Sequence, residues 1–347
     1  MALFGFGAKP SFLGVDLGST SIKLVEIKKE QGVPVLVTYG YAERAMGETV
    51  KGDAKEVFKK TVALLKKLYK QAGVTSYRAV TALPNFSVFN SVITLPVMKQ
   101  KELDAAVRWE AKKFIPMPIE DVILDWRIID TVDVNGKRKN YRILLTAASR
   151  SLVKNYVEIF KQADLELIAL ETESFALSRS LIGKSQAPAM IIDTSAITTD
   201  IIIIEKGAPA LNRSIDVGGV TISQAIANSL NIDFKRAEQF KRDIGMSGTS
   251  KIPKIIEGIL KPVIDEIQYS LKLYQSQAGK TIEKVVLSGG SAYLPNLAEY
   301  FSSVLTTKIL IGDPWARVAY PEELKPALQE VAPRFAVAIG LALRQLD

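Results

Sequence analysis

Cysteine and histidine are both absent from this 347-residue chain. Their absence excludes disulfides, a thiol nucleophile, a Cys/His zinc site and a histidine general base. Any bound metal must therefore be a hard ion held by oxygen ligands. Acid–base chemistry falls to carboxylates, lysine, tyrosine or water. A chain without cysteine also fits a reducing cytoplasm.

Long apolar runs are missing as well. No run approaches the roughly 20 residues that a membrane-spanning helix needs. The first ten residues, Met1 to Pro10, lack the charged start and long apolar core of a signal peptide. Leu3, Phe4 and Phe6 could touch a membrane or a partner, although a frayed tail is the simpler interpretation.

The net charge is +8 and the pI is about 9.3, which permits nucleic acid, acidic lipid or an acidic partner. The basic residues are dispersed among 37 acidic ones, and no nucleic-acid-binding motif is found. We therefore expect no nucleic-acid partner and interpret the charge as solubility plus attraction to a membrane surface.

Residues 12 to 27 predict a hairpin with an acid at its open end. An apolar strand ends in the acid, a hydroxyl-rich turn follows, and a second strand carries a lysine. A glycine lets backbone N–H groups approach phosphate oxygens, and the acid can hold a hydrated Mg²⁺. A plain polar turn between two buried strands has the same pattern. The residues concerned are Asp16, Gly18, Ser19, Thr20, Ser21 and Lys23.

The same pattern returns near the middle of the chain. A strand ends at Asp193, a hydroxyl-rich turn follows, and a second strand runs from Ile201 to Glu205. Both copies are followed by a Gly/Pro turn and a third strand, so we infer an internal repeat. The candidate phosphate contacts of this second copy are Thr194, Ser195, Thr198 and Thr199.

Length and pattern predict two domains, residues 1–183 and 184–347, joined by a polar stretch from Gly183 to Pro188. A small α+β unit is predicted as an insertion at about 77–150. A C-terminal helix over 330–345 is expected to pack back on the first domain. A helix over 54–72 has a lysine-rich face that suits lipid headgroups or plain solvent.

Two glycine pairs stand at predicted turns. Gly218 and Gly219 open a helix, and Gly289 and Gly290 end an apolar strand ahead of Ser291. The second pair would let backbone lie flat against a base or ribose, although an ordinary strand-to-helix turn looks the same.

Together these segments resemble the actin-like ATPase superfamily over nearly the whole chain. The resemblance implies an α/β, actin-like (ribonuclease H-like) duplicated two-domain fold, with ATP and Mg²⁺ between the domains. It makes the two hairpins the phosphate loops, with Asp16 and Asp193 reaching the metal through water. It further implies nucleoside contacts at Glu238, Lys241, Gly218, Gly219 and Gly289 to Ser291, and a water-orienting role for Glu173.

Within the superfamily, three stretches are similar to the PilM family of type IV pilus assembly. They are Ala82 to Val88 with Leu95 to Met98, Val107 to Pro118, and Pro333 to Arg344. This resemblance implies a protein of twitching motility that is cytoplasmic and peripheral to the inner membrane. The implied partner is the N-terminal cytosolic tail of a PilN-like inner-membrane protein, bound beside the inserted unit. Contact with pilus motor ATPases and self-association are also compatible, and membrane contact would be indirect.

One position departs from the superfamily pattern: Ser195 stands where the second phosphate loop commonly has glycine. A Cβ restricts positive φ and limits how closely backbone approaches phosphate. We therefore expect hydrolysis to suffer more than binding, which leaves a nucleotide-binding scaffold and a slow ATPase as near-equal interpretations. An FtsA-like division or filament protein and a small-molecule kinase of the same fold are the remaining alternatives. The partner would dock near Phe86, Phe89, Trp109, Phe114 and Ile115, although most aromatic residues at such spacing belong to a core.

Overall fold

The computed structural model describes residues 11–44, 53–134 and 138–346. The first ten residues and the predicted turn at Asn135-Gly136 therefore lie outside the described residues. Thirteen strands and ten helices of the described part form two five-stranded sheets, one three-stranded sheet and their covering helices. None of the helices in these ranges is both long and apolar enough to cross a membrane.

The first sheet has the strand order β3-β2-β1-β4-β8. Strands β1, β2 and β3 are antiparallel neighbours, whereas β1, β4 and β8 run parallel. Helices α1 and α3 cover one face, where Leu65 and Phe160 pack against Leu13 and Leu24. The bounds are β1 Ser11–Leu17, β2 Ser21–Glu30, β3 Val33–Glu43, α1 Ala54–Gln71, β4 Arg78–Leu83, α3 Arg150–Gln162 and β8 Glu166–Thr172.

The second sheet repeats the first, with the order β11-β10-β9-β12-β13 and the same strand directions. Helices α5 to α8 cover its outer face around a core that includes Ile203, Ile256 and Phe301. The duplication predicted from the repeat, with α/β architecture in both halves, is thus confirmed. The bounds are β9 Ala189–Thr194, β10 Thr199–Glu205, β11 Ala208–Ile215, α5 Gly219–Leu230, α6 Phe234–Ile244, α7 Lys251–Ala278, β12 Lys284–Ser288, α8 Leu297–Leu305 and β13 Ile309–Ile311.

An antiparallel sheet of order β5-β7-β6 forms the inserted subdomain, with helix α2 packed on it. The prediction started this unit at residue 77 and counted β4 within it. The structure corrects that start, because β4 is paired in parallel on both sides within the first sheet. The separate sheet therefore begins with β5. The bounds are β5 Val88–Pro96, α2 Gln100–Ala111, β6 Val122–Val134 and β7 Arg138–Ser149.

The C-terminal segment is not the single helix predicted over 330–345. It consists of α9 Lys325–Val331, a 3₁₀ turn Ala332–Phe335 and α10 Ala336–Leu343. Pro333 explains the break, since proline has no backbone N–H to give to a helix. All eight residues of α10 are buried.

Helix α10 lies between the two large sheets. Its residues pack against Val25 and Ile27 of the first sheet, and they share a second apolar cluster with the short helix α4 Glu173–Leu177 and with Ile191 and Ile202 of the second sheet. A Cβ at Gly14 would overlap the carbonyl oxygen of Ala338, so the helix approaches β1 too closely for any larger residue. Helix α4, which follows β8, completes the same core. The division of the chain at 183/184 stays a prediction.

Candidate functional site

The first hairpin, residues 16–23, closes on an ion pair. Asp16 lies directly opposite Lys23 in the β1–β2 register, and Lys23 Nζ donates to Asp16 Oδ2 at 2.8 Å. Both side chains are largely buried. A Cβ at Gly18 would stand 2.9 Å from the carbonyl oxygen of Ser21, so the turn is too tight for a side chain there. Ser19 and Thr20 form the tip of this turn.

The second hairpin, residues 193–200, has the same length and register as the first but differs in the charge of one facing residue. Asp193 lies opposite Asp200 in the β9–β10 register, so an acid takes the place that Lys23 has in the first hairpin. Asp200 is 3% exposed. Its carboxylate accepts from Ser214 Oγ and, at 3.3 Å, from Asn85 Nδ2.

Four carboxyl groups from different elements converge between the hairpins. Desolvation, followed by the charges of Asp200 and Asp16, raises the pKa of Asp193 to about 7. Desolvation also raises the pKa of Asp200 to about 6, against the hydrogen bonds from Ser214 and Asn85.

Glu173 belongs to the same cluster. The pKa of Glu173 is raised well above its usual range. Desolvation is the largest cause, and the charges of Asp200, Asp16 and Asp193 add to it. The two hairpins and the start of α4 therefore face one another closely enough for their charges to interact.

Glu173 is held by the backbone of the turn between β4 and β5. Its Oε2 accepts from the backbone N–H of Asn85 at 3.0 Å. The Asn85 side chain is buried, and its Oδ1 accepts from both the backbone N–H and the hydroxyl of Ser174. Asn85 thus touches α4 and β10 at once.

The hydroxyl groups of Ser195 and Thr199 in the second hairpin are hydrogen-bonded within the protein. Ser195 Oγ donates to the carbonyl oxygen of Thr198 at 3.0 Å and accepts from its backbone N–H. Thr199 Oγ1 is fully buried and donates to the carbonyl oxygen of Val217. Thr194 is also buried.

The backbone at Ser195 is not in the positive-φ region, so the serine is compatible with the local conformation. The expected steric conflict at this position is therefore absent, while the hydroxyl is already engaged within the turn. The hydroxyl groups of Ser195 and Thr199 are bound to carbonyl oxygens, the first within the turn and the second at Val217, unlike those of an open phosphate cradle.

The second hairpin rests on the start of helix α5. Backbone N–H groups of Gly219 and Val220 donate to the carbonyl oxygens of Ser195 and Ala196, at 3.0 and 2.8 Å. A Cβ at Gly218 would lie 2.6 Å from the backbone of Ala196. Gly218 is thus required by the close packing of the helix start against the hairpin.

A lysine, a serine and a glycine converge beside this helix start. A Cβ at Gly219 would lie 3.2 Å from both Lys241 Nζ and Ser291 Oγ. Lys241 Nζ donates to Glu238 Oε2 at 2.7 Å and to the Gly219 carbonyl oxygen at 3.0 Å. Glu238 also accepts from Ser223 and Arg242.

The charges of this group balance one another. Desolvation lowers the pKa of Lys241, and the charge of Glu238 opposes that shift. Desolvation tends to raise the pKa of Glu238, but Lys241 and the other hydrogen-bond donors outweigh it and the pKa is lowered. The pair is therefore a charged, hydrogen-bonded unit, fixed at the edge of the candidate site.

The Gly289-Gly290 turn joins this region to the second hairpin. Gly289 has φ +86°, and a Cβ there would overlap the carbonyl oxygen of Thr194. Ser291 N–H donates to that same oxygen at 3.3 Å. Gly290 is exposed, and a Cβ there would meet only the Arg334 side chain, at 3.9 Å. The first glycine is needed by the fold, and the second leaves a flat, exposed stretch of backbone.

The predicted site residues therefore fall into two groups. Both hairpins and Glu173 meet at a carboxylate cluster, whereas Gly218, Gly219, Glu238, Lys241 and Gly289 to Ser291 gather beside the second hairpin. Sequence reasoning did not assign roles to Asp200 and Asn85. The equal seven-residue spacing of Asp16 to Lys23 and Asp193 to Asp200 was a signal for Asp200. No local sequence pattern pointed to a role for Asn85, because its hydrogen-bond partners lie 88 to 115 residues away in the chain.

The donor set suits a hard cation, since four carboxyl groups share a desolvated space. In residues 11–44, 53–134 and 138–346, no three acidic side chains are arranged to hold a metal ion directly. The set fits a Mg²⁺ ion that keeps its own water ligands, as Mg²⁺ commonly does.

Comparison with known proteins places this geometry in a class and then in a family. A solved MreB5 of Spiroplasma citri bound to ADP matches 95% of this chain and 94% of its own length, with a TM-score of 0.54 and 16% identity. That likeness shows the actin-like fold. The sequence profile described as Type IV pilus assembly protein PilM matches residues 14–346, and the chain belongs to this family.

A solved structure described as the PilM-PilN type IV pilus biogenesis complex is similar over 96% of this chain and 98% of its own. Its TM-score is 0.82 and its identity is 29%. The cell division protein FtsA of Borreliella burgdorferi is 23% identical over 271 residues, which are 67% of this chain and 64% of FtsA. This chain thus spans less than two thirds of that relative.

Proposed function

We propose that this protein is a nucleotide-binding adaptor of the type IV pilus assembly platform, with ATP between the two hairpins. The observation that carries the proposal is the cluster formed by Asp16, Glu173, Asp193 and Asp200. Desolvation and repulsion from neighbouring acids raise the pKa values of Glu173 and Asp193, and desolvation raises the pKa of Asp200. Such a cluster is stabilised by a cation, and Mg²⁺ that accompanies a bound nucleotide would supply it.

The phosphates would lie against the first hairpin. Its tight turn leaves no room for a Cβ at Gly18, so backbone N–H groups can approach oxygens closely. Ser19, Thr20 and Ser21 add hydroxyl donors. Lys23, already paired with Asp16, would contribute positive charge toward the phosphates.

The nucleoside would occupy the second group of residues. The flat backbone at Gly290 suits the face of a planar base. Lys241 and Glu238 would hydrogen-bond the ribose or base, and Gly218, Gly219, Gly289 and Ser291 would shape the wall. The solved MreB5 of S. citri is bound to ADP, which supports a nucleotide on this fold.

The metal would be held through water by Asp16 and Asp193. When bound, Mg²⁺ would neutralise phosphate charge and screen the carboxylates from one another. Thr194, Ser195, Thr198 and Thr199 would keep the second hairpin rigid, because their hydroxyl groups are buried or engaged within the protein.

Turnover is expected to be slow. Glu173 would accept a hydrogen bond from an attacking water, since phosphoryl transfer rests mainly on positioning and electrostatics. One oxygen of Glu173 is already occupied by the Asn85 backbone N–H. The hydroxyl groups engaged within the second hairpin favour binding over rapid hydrolysis.

The nucleotide site is tested by Asp16→Ala. This change removes one water-mediated metal ligand and leaves Lys23 without its partner, so we expect Mg-ATP to bind at least about tenfold more weakly. Calorimetry with Mg-ATP measures the affinity. Asp164→Ala, which removes an exposed carboxylate paired with Lys66, is the control. Equal affinity in wild type and Asp16→Ala would refute the site.

The partner would dock on the inserted subdomain. Phe86, Trp109 and Phe114 are each at least 46% exposed there, contrary to the expectation that most such aromatic residues are core. Ile115 is buried and Phe89 is partly buried in the subdomain core. An exposed apolar group of this kind commonly marks a protein-binding surface.

The proposed occupant is the N-terminal cytosolic tail of a PilN-like inner-membrane protein. Support comes from the similar PilM-PilN complex. This partner would keep the chain in the cytoplasm at the inner membrane, with membrane contact through the partner. Pilus motor ATPases and self-association would add further contacts.

The docking surface is tested by Trp109→Ser. Trp109 is 64% exposed, and aromatic anchors dominate binding at many interfaces. We expect a synthetic PilN-like tail peptide to bind about tenfold more weakly, measured by fluorescence anisotropy. Tyr269→Ser, on exposed α7 of the other half, is the control. An unchanged affinity for the Trp109 variant would exclude this surface.

A further inference from the structure

The turn between β4 and β5 is the point where the first sheet, the second hairpin and the inserted subdomain meet. This turn, Asn85–Ser87, follows directly on β4 after Pro84 and leads into β5. Its first residue is 2% exposed and its second is 55% exposed. One residue is thus sealed against the candidate site, and the next faces solvent beside the inserted sheet.

Asn85 has a hydrogen bond for every polar group that faces the cluster. Its backbone N–H donates to Glu173 Oε2 at 3.0 Å, and its Nδ2 donates to Asp200 Oδ2 at 3.3 Å. Its Oδ1 accepts from Ser174 N–H at 3.2 Å and from Ser174 Oγ at 2.6 Å. A buried amide bound on all sides holds a single position, because each lost bond would leave a desolvated polar atom.

Two further contacts tie the inserted subdomain to the second sheet. Arg142 of β7 donates to Glu205 of β10 at 3.1 Å, and Glu205 is 1% exposed. Lys206, in the turn after β10, pairs with Asp130 of β6. One end of strand β10 therefore contacts the inserted subdomain through Glu205, and the other end contacts the turn that leads into it through Asp200.

We propose that Asn85 is a positioning residue that holds Glu173 and Asp200 in place and couples their arrangement to the inserted subdomain. The inference rests on the nucleotide site proposed above. A ligand between the hairpins that moves Asp200 or Glu173 pulls on Asn85, and Asn85 is covalently joined to β5 within three residues. The contact chain runs in both directions, so occupancy of the inserted subdomain changes the site in turn.

The test measures coupling separately from binding. Hydrogen exchange of the β5 peptide, residues 88–96, is compared with and without Mg-ATP, and affinity is measured with a fluorescent ATP analogue. In the wild type we expect Mg-ATP to slow exchange of this peptide by at least about threefold. In Asn85→Ala and Asn85→Asp, each measured at an Mg-ATP concentration that saturates that variant, we expect no change in β5 exchange on adding Mg-ATP.

A double variant tests whether the side-chain contact itself carries the coupling. Asn85→Asp combined with Asp200→Asn exchanges the amide and the carboxylate across the 3.3 Å contact and keeps the net charge. The carboxylate introduced at position 85 can still accept from Ser174, and the amide introduced at position 200 can still accept from Ser214. We expect this variant to regain the exchange response, which a residue needed only for folding would not explain.

Asn90→Ala is the matched control. Asn90 lies in β5 and bonds only within the inserted sheet in the contacts that the structure shows for it, to Thr146 and Val88. We expect it to keep the wild-type response. A response retained in both single Asn85 variants, an unresponsive double variant, or a wild type that binds Mg-ATP without any β5 response overturns the inference alone. A wild type that does not bind Mg-ATP overturns the proposed function, and the inference with it.

Discussion

The two hairpins have the same length and strand register but differ in the charges they carry. Each has an acid seven residues before a residue that faces it across the ladder. In the first hairpin the facing residue is Lys23, and the pair is neutral and closed at 2.8 Å. In the second it is Asp200, so two carboxyl groups face each other and their pKa values are raised to about 7 and about 6.

The two copies of the duplicated hairpin therefore differ in which of their polar groups are satisfied within the protein. The first hairpin satisfies its own charges and offers a tight glycine turn. The second satisfies its hydroxyl groups but leaves acidic charge that only protons or a cation can offset. The strands and the register are the same in both hairpins, while the ladder position that Lys23 occupies in the first is occupied by Asp200 in the second.

The largest expected effect comes from making the hairpins alike in charge. Lys23→Glu places an acid opposite Asp16, as in the second hairpin, and adds repulsion toward phosphate. We expect ATP affinity to fall at least about 100-fold, or about 2.7 kcal/mol, in a fluorescence titration at fixed Mg²⁺ and ionic strength. Lys66→Glu, on exposed α1, changes the net charge equally and is the control. A loss of less than about threefold would mean that the first hairpin does not face phosphate.

The second prediction removes the acidic excess of the second hairpin. The folded-state pKa of Asp200 is about 6, above the ordinary 3.8, so the folded protein binds more protons than the unfolded chain in that window. The contribution of Asp200 to the stability of the wild type therefore falls as pH rises from about 4 to about 6. Asp200→Asn lacks this titration, and we expect it to be more stable by about 1–3 kcal/mol at pH 8 without ligand.

Urea unfolding at pH 8 and pH 4 measures this gain. The two proteins should converge at pH 4, where Asp200 is protonated in the folded state and close to half protonated in the unfolded chain. Asp265→Asn, at an exposed ion pair on α7, controls for loss of one negative charge. A variant that is equally or less stable than wild type at pH 8 would show that Asp200 is already compensated.

The smallest expected effects on ATP affinity come from single substitutions in the turns of the two hairpins, and they differ between the two turns. Gly18→Ala would bring a Cβ within 2.9 Å of the Ser21 carbonyl oxygen, so the first turn must shift. We expect ATP affinity to fall about tenfold. Ser195→Ala at the equivalent place removes a hydroxyl that bonds within its own loop, and we expect less than about threefold change. Calorimetry on both variants decides, and the reverse order would make the second hairpin the main phosphate contact.

Local sequence patterns were sufficient to predict much of the fold. The strands of both hairpins, the inserted α+β unit and the duplication all follow from apolar alternation and turn residues that repeat along the chain. The break at Pro333 was also readable, because proline cannot donate within a helix. The assignment of β4 was not, since its membership of the first sheet depends on pairing with β1 and β8.

The site was less accessible to sequence reasoning. Asp200 becomes important through its register opposite Asp193, and Asn85 through bonds to residues 88 and 115 positions away. The backbone conformation at Ser195 was out of reach for a related reason. A sequence shows that a Cβ is present, but the φ angle and the hydroxyl acceptor depend on how the turn closes.

The buried helix α10 has a consequence for synthesis on the ribosome. Its eight residues lie between the two sheets, yet they are translated after every strand of both. Until they emerge, the apolar cluster around Val25 and Ile27 and the one around Ile191 and Ile202 both lack the residues that α10 contributes. The two halves therefore cannot complete their folding one after the other during translation, because both clusters stay incomplete until α10 is made.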